Sequence, residues 1–439
     1  MFKETSKELL DFLSKSPTAF HAVENYRQIL NADGFKELLE SEHWDIVPGG
    51  KYYVTRNNTS ILAFKVGTKL DNYSFNIVTS HTDSPTFKVK ENAEIEVKNK
   101  YTQLNTEGYG GMLCATWLDR PLSIAGRVLV SEGNSIVTKL LNIDRDLLMI
   151  PNVAIHMNRA ANDGFKYNLQ VDMLPLLSAG DDRQKDFKQI LADELGVKKE
   201  DILGHDLYLY NRMAPSIWGA NEEFISAGHL DDLQCGFASL KALLAGYNDE
   251  SIDIMACFDN EEVGSGTKQG ADSTLLRDTL TRINSALGKT EEDYHRALAS
   301  SFMLSADNAH AVHPNHPEHT DVTNCTYMNE GVVVKSHAGQ KYTSDGVSMA
   351  VVKALASGAD VPLQYFANRS DKAGGSTLGN IAMAQASMNA VDIGLPQLAM
   401  HSSYETAGIK DTYYAISLMK ALFDSHIQET STHSLEIKR

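Results

Sequence analysis

SIDIMACFDNEEVGSG, residues 251–266, joins an apolar run to an acidic turn. The run SIDIMACF, 251–258, has the length and apolar character of a strand buried inside a sheet. It ends, however, in Asp259, Glu261 and Glu262. Three carboxylates within four positions repel one another unless a cation holds them. The stretch therefore predicts a central strand and, at its carboxyl end, a positively charged ligand.

Working outward, the same grammar recurs. YSFNIVTSHTDSP, 73–85, reads as a buried strand over Phe75 to Val78 that stops at His81, and SSFMLSAD, 300–307, as another that stops at Asp307. LPQLAMH, 395–401, reads as a strand ending in His401, ahead of the helix DTYYAISLMKALFDS, 411–425. Helical periodicity covers the first forty residues, Leu233 to Leu244 and about 271–286, while KYYVT and SILAFKV, at 51–55 and 60–66, alternate as strands after Pro48, Gly49 and Gly50. Apolar strands interleaved with amphipathic helices predict an α/β three-layer sandwich with a mostly parallel central sheet. Between its two parts the texture changes to alternating pieces such as FKVKENAEIEVKN, 87–99, and SIAGRVLVS, 123–131, with one charged helical stretch, GDDRQKDFKQILADELG, 180–196. The expected organisation is a discontinuous domain of residues 1–88 and 222–439, with a β-rich unit, 89–221, inserted into it.

Forty Lys and Arg against 57 Asp and Glu give a net charge of -17, and the basic residues form no stripe. Nucleic acid and anionic membranes are poor partners for such a surface. Cys114, Cys235, Cys257 and Cys325 stand far apart without CxxC spacing, so no zinc ribbon or disulfide framework is expected. The opening MFKETSKELLDFLSKS mixes charges into its apolar positions, unlike a signal peptide, and no run approaches the ~18 apolar residues of a membrane span. A cytoplasmic protein is expected.

The strand ends carry His81 with Asp83, Glu261 with Glu262, Asp307, and His401; GHLDDL, 228–233, adds Asp231 and Asp232 ahead of a helix. Taken singly, HTD is an ordinary turn, DD an ordinary helix start and EE an ordinary solvated face. Together they form an ordered set at the ends of predicted elements, where open α/β sheets bind ligands. Histidines and carboxylates suit Zn²⁺, Co²⁺ or Mn²⁺, and the pattern reads as a two-metal hydrolase site.

The chain resembles the M18 aminopeptidase family, the aspartyl aminopeptidase group of dinuclear zinc exopeptidases. The resemblance is carried by SHTDSPTFKVK (80–90), YGGMLCATWLDRPLSIAGRV (109–128), IPNVAIHMNR (150–159), HLDDL (229–233), FDNEEVGS (258–265), SADNAHAVHPN (305–315) and GLPQLAMHS (394–402). It implies that His81, Asp231 and Asp307 hold one metal, and that Glu262, His401 and a bridging Asp231 hold the other. Asp83 would accept the second ring N–H of His81 and fix its tautomer. Glu261 would take the proton from the attacking water and pass it to the leaving amine. The resemblance further implies removal of N-terminal residues from peptides, a dimerising role for the inserted unit, and dimers assembled into a hollow dodecamer.

Four weaker signals complete the reading. HAVHPNHPEH, 310–319, is broken by Pro314 and Pro317 and cannot line one helical face, so His316 and His319 are expected to be solvated, and His313 is left without a role. The resemblance gives His310 a part in polarising the peptide carbonyl. His156 reads as a core or strand histidine from sequence alone, whereas the resemblance implies that it reaches a neighbouring subunit's site. Lys335 is either an exposed strand-edge lysine or, by resemblance, a contact for acidic substrate groups, which tilts the expected first residue toward acidic over neutral or hydrophobic. GGSTLGN, 374–380, with Gly379, is expected to be a substrate-holding loop. A carboxypeptidase or amidase of the same superfamily, or a non-catalytic shell, stays open at this level.

Overall fold

The computed structural model describes residues 1–180 and 186–439. A nine-stranded sheet runs in the order Lys36–Glu37, Lys51–Arg56, Ser60–Val66, Ser251–Phe258, Ser74–His81, Phe302–Ala306, Asn389–Gly394, Val332–Lys335, Leu363–Phe366. Its four middle strands, from Ser251–Phe258 to Asn389–Gly394, are mutually parallel. Successive side chains of a strand point to opposite faces, and here both faces are covered. Met255 and Cys257 pack with Leu9, Tyr26, Leu240 and Phe423 of the helices on one side. Ile252, Ile254 and Phe258 pack with Leu276, Leu280 and Leu378 of the helices on the other. This double burial explains why the strand is apolar at nearly every position, and it yields the three expected layers.

A second sheet is wholly antiparallel, in the order Ser135–Asn142, Leu122–Glu132, Ile202–Asn211, Thr86–Val97, Tyr101–Tyr109, Leu176–Ala179, around a core that includes Phe87, Trp117, Leu207 and Leu209. Beside it lies the helix Phe187–Leu195, capped by the Asp186 side chain and ended by left-handed Gly196. The stretch 181–185 of the predicted helical segment lies outside the described residues. No helix among the described residues is long and apolar enough to cross a membrane.

A third sheet joins Ser216–Trp218, Phe224–Ala227, Glu405–Gly408, Pro396–Leu398 and Ala309–His310. It corrects one expectation. LPQLAMH does not end a strand of the central sheet; that strand is Asn389–Gly394, and the chain leaves it at Pro396, which has no N–H for a central ladder. His401 follows on a turn, with φ +67°.

Candidate metal centre

The parallel register sets His81 beside Phe258, so the turn 259–264 and the end of the His81 strand emerge on the same edge. Asp307 emerges next to them, one residue past the strand Phe302–Ala306. Asp231 and Asp232 have non-helical backbone angles at the head of the helix Leu230–Ala245; the Asp231 carboxylate joins the donors, while that of Asp232 accepts the His81 backbone N–H. The result is two donor sets, His81, Asp231 and Asp307, and Asp231, Glu262 and His401, with ligand atoms in each within 4.8 Å of one another. Asp231 belongs to both: its Oδ1 is 3.6 Å from His81 Nε2 and its Oδ2 is 3.3 Å from His401 Nε2. His401 Nε2 is also 3.2 Å from Glu262 Oε1. A further set, His81, Glu261 and Glu262, meets the same limit.

Both imidazoles are oriented by backbone carbonyls. His81 Nδ1–H donates to Asp83 O at 3.0 Å, and His401 Nδ1–H to Gly111 O at 3.0 Å. With Nδ1 engaged by a carbonyl, Nε2 is the ring atom that each histidine turns toward Asp231. The expectation for Asp83 is thereby corrected: its backbone carbonyl is the hydrogen-bonding partner of His81, while its carboxylate stands 3.5 Å from the ring nitrogen. That carboxylate instead accepts the backbone N–H groups of Glu261 and Glu262, both at 3.1 Å, and the Tyr109 hydroxyl at 2.6 Å. It holds the acidic turn in place.

The centre is short of positive charge. Burial, reinforced by the carboxylates of Asp307, Glu262 and Asp83, pushes Glu261 up to about 8, and burial pushes Glu262 up to about 7. Burial would keep His401 neutral, yet its contacts with Asp231 and Glu262 raise it to about 11. Asp231 Oδ1 and Glu262 Oε1 are buried without a hydrogen-bond partner. Buried carboxylate oxygens without partners are costly, and a divalent cation, which would take the place of the imidazole protons, would offset that cost. The donor chemistry fits a zinc-type ion.

Lys335 ends the strand Val332–Lys335 and is 4% exposed, so it is not an exposed edge lysine. Its ammonium donates to Asn308 O at 2.8 Å and lies 3.7 Å from Asp307 Oδ1. Burial opposes its charge, but Asp307 and other nearby carboxylates hold its pKa above the ordinary lysine value. His310 lines a cavity of about 350 Å³ together with Met400, the residue before His401. His156 is exposed on the turn 155–157 and is not among the groups brought together. His313, His316 and His319 lie near the protein surface, His316 and His319 being exposed as expected. Gly379 departs from expectation: it sits in the first turn of the helix Leu378–Gln385, not on a loop. A Cβ there would stand 2.5 Å from Ser305 Oγ and 3.0 Å from Asp392 Oδ1, so glycine lets the helix close onto the sheet.

Several residues that position the centre, Asp232 and Asp259 apart, were not singled out from sequence. Tyr109 ends a strand of the antiparallel sheet opposite Thr86; its hydroxyl also accepts from Asn260 Nδ2 at 2.7 Å. Gly110, at φ +72°, lets this segment pass Glu262: a Cβ there would lie 3.1 Å from the Glu262 Cβ. Leu113 N–H donates to His401 O at 2.9 Å. Buried Glu405 accepts the backbone N–H of Asp231 at 3.0 Å and of His401 at 2.8 Å, and Asp232 accepts that of His81 at 3.2 Å. Asp259 also gains a place: its Oδ1 accepts the Asn260 N–H at 2.8 Å and so shapes the turn.

Comparison with known proteins places the chain in a family. The family model described as aminopeptidase I zinc metalloprotease (M18) matches residues 12–423. A Clostridium novyi protein described as probable M18 family aminopeptidase 2 is 48% identical over 425 residues, spanning 95% of this chain and 98% of the relative. Among solved structures, Ape4 in its complex with Nbr1 superposes with a TM-score of 0.93 at 35% identity, covering 96% of this chain and 86% of that one. The S. cerevisiae mApe1 dodecamer gives 0.84 at 28% identity, covering 96% of this chain and 97% of that one. Family model, relatives and fold agree over nearly the whole length: the chain belongs to the M18 family of zinc metalloproteases and is an aminopeptidase.

Proposed function

We propose that this aminopeptidase removes the N-terminal residue of peptides at a centre of two divalent ions per subunit. His81, Asp231 and Asp307 hold one ion; Asp231, Glu262 and His401 hold the other. Zinc is the first choice, and cobalt or manganese suits the same donors. The observation that carries the reading is the pair of donor sets sharing Asp231. When bound, the ions act as Lewis acids that polarise the scissile carbonyl and make the attacking water more acidic.

The protein's own groups supply the rest. Glu261, next in sequence to Glu262 and held by the same Asp83 clamp, accepts a proton from the water on its side-chain oxygen and delivers it to the departing amine. Asp83, clamping the amides of Glu261 and Glu262, keeps the proton carrier and the neighbouring ligand in fixed relation. His310 faces the substrate from the adjoining cavity wall. Lys335 offset the charge of Asp307 and retains donor capacity beyond Asn308 O for an acidic first side chain, with neutral and hydrophobic residues also accepted.

Residues 1–88 and 222–439 form the proteolytic unit and 89–221 the dimerisation unit, a division supported by the separate antiparallel sheet and its own core. Homo-oligomerisation, up to the dodecamer described for S. cerevisiae mApe1, is supported by that likeness, and exposed His156 reaches the partner subunit's centre. Glu261→Gln tests the chemistry: metal content stays while turnover falls by at least about 100-fold. Activity within a few-fold of the parent would remove Glu261 from its role. Peptides with a blocked amino terminus should not be cleaved.

A further inference from the structure

The segment HPNHPEH, 313–319, takes no part in the chemistry above, yet its side chains are gathered. His316, Glu318 and His319 each present a ligand atom, all within 4.8 Å of one another. Glu318 Oε1 is 3.1 Å from His316 Nδ1 and 4.0 Å from His319 Nε2. Tetrahedral ligands at ordinary zinc bond lengths stand about 3.4 Å apart, so small side-chain rotations close the set. The backbone beneath is already fixed. His316 N–H bonds His313 O at 3.0 Å, His319 N–H bonds His316 O at 3.2 Å, and Thr320 Oγ1 bonds Pro317 O at 2.8 Å. Arg369, paired with Asp371 at 2.9 Å, donates to Glu318 O. The rings of His316 and His319 lie 5.5 Å apart at 29°, so neither must travel far to share an ion.

We propose that His316, Glu318 and His319 form a separate, solvent-exposed site for a divalent transition-metal cation. Two imidazoles and one carboxylate favour Zn²⁺, Ni²⁺, Co²⁺ or Cu²⁺ over Mg²⁺ or Ca²⁺. Side-chain exposures of 57%, 58% and 64% leave the other coordination positions to water and keep the desolvation cost low. The site is distinct from the catalytic donors, but His319 shares the cavity of about 350 Å³ with His310 and Met400. A cation bound here sits on the outer wall of the space beside His401.

The test is equilibrium dialysis of tag-free, metal-loaded enzyme against Zn²⁺, comparing the parent with the double variant His316→Ala/His319→Ala. The parent retains one equivalent per chain more than the double variant, and Glu318→Gln weakens retention of that equivalent without altering the rest. Equal metal counts in parent and double variant overturn the proposal. Because the catalytic donors are the same in all three proteins, the difference is independent of how many ions the catalytic centre holds. A parent-like melting temperature for the double variant in low free metal checks that the fold is intact.

Discussion

Tyr109→Phe removes one oxygen atom from the network beside the candidate centre, and its effect follows from what that oxygen does. Burial and the neighbouring Asp83 carboxylate push the phenol well above its ordinary pKa, so it donates at every working pH. It donates to Asp83 Oδ2 at 2.6 Å and accepts from Asn260 Nδ2 at 2.7 Å. A hydrogen bond to a charged group contributes about 1.5–3 kcal/mol. Asp83 keeps its two backbone donors, so the turn relaxes without collapsing. A loss of about 1.5–3 kcal/mol in the relation of Glu261 and Glu262 to the centre corresponds to about 10–150-fold in kcat/KM, in line with the cost of removing groups that orient metal ligands. The measurement is kcat/KM on a free-amine peptide, with metal affinity followed by chelator competition. Phenylalanine fits the same space, so the melting temperature serves as the control for folding. A variant within two-fold of the parent in both kcat/KM and metal affinity would refute the idea that the antiparallel unit steadies the acidic turn.

Gly110→Ala places a methyl 3.1 Å from the Glu262 Cβ in a left-handed conformation. The backbone alone costs about 1–2 kcal/mol, so both melting temperature and activity fall; a parent-like protein would show that the segment can move away freely. Stripping the metal with a chelator lowers the melting temperature, because ligand at 1,000 times its Kd stabilises by about 4 kcal/mol, and returning Zn²⁺ restores it; a melting curve indifferent to chelation would argue against the donor sets. Asp253 tests burial away from the centre: desolvation raises its carboxyl to about 8, while Ser251 and Asn76 donate to its Oδ1. The folded state therefore binds its proton more tightly than the unfolded state, and stability is lost as pH rises from about 4 toward 8. Asp253→Asn gains on the parent across that window by up to about 1.4 kcal/mol per pH unit, as read by urea unfolding; a stability difference that does not change between pH 5 and 8 would remove Asp253 from this account.

The candidate donors were legible as a group because most of them stand at the end of an element whose own pattern is local. His81, Glu262 and Asp307 follow apolar runs, and Asp231 precedes a helix, so spacing alone assigns them to one edge of a parallel sheet. His401 was found for a partly mistaken reason, since its placement depends on the chain leaving the central sheet at Pro396 to join another one. Tyr109, Gly111 and Glu405 were not legible. Tyr109 acts on Asn260 across 151 positions, and Gly111 on His401 across 290, so no local pattern records the pairing. Gly379 misled because a glycine-rich segment looks the same whether it turns in solvent or packs a helix against Ser305. Asp83 was recognised as important, but its nearby backbone carbonyl competes for the same imidazole, and residue type alone does not reveal which oxygen wins.

The grip of Gly111 O and Leu113 N–H on His401 bears on the order in which a newly made chain becomes competent. Synthesis delivers His81 early, the segment that grips His401 next, and His401 itself only near the end. The residues that hold His401 are thus made some 290 positions ahead of it. A chain interrupted between residues 307 and 401 carries Gly111 and Leu113 but lacks the histidine they hold. On the proposed assignment, such a product keeps only Asp231 and Glu262 of the second donor set.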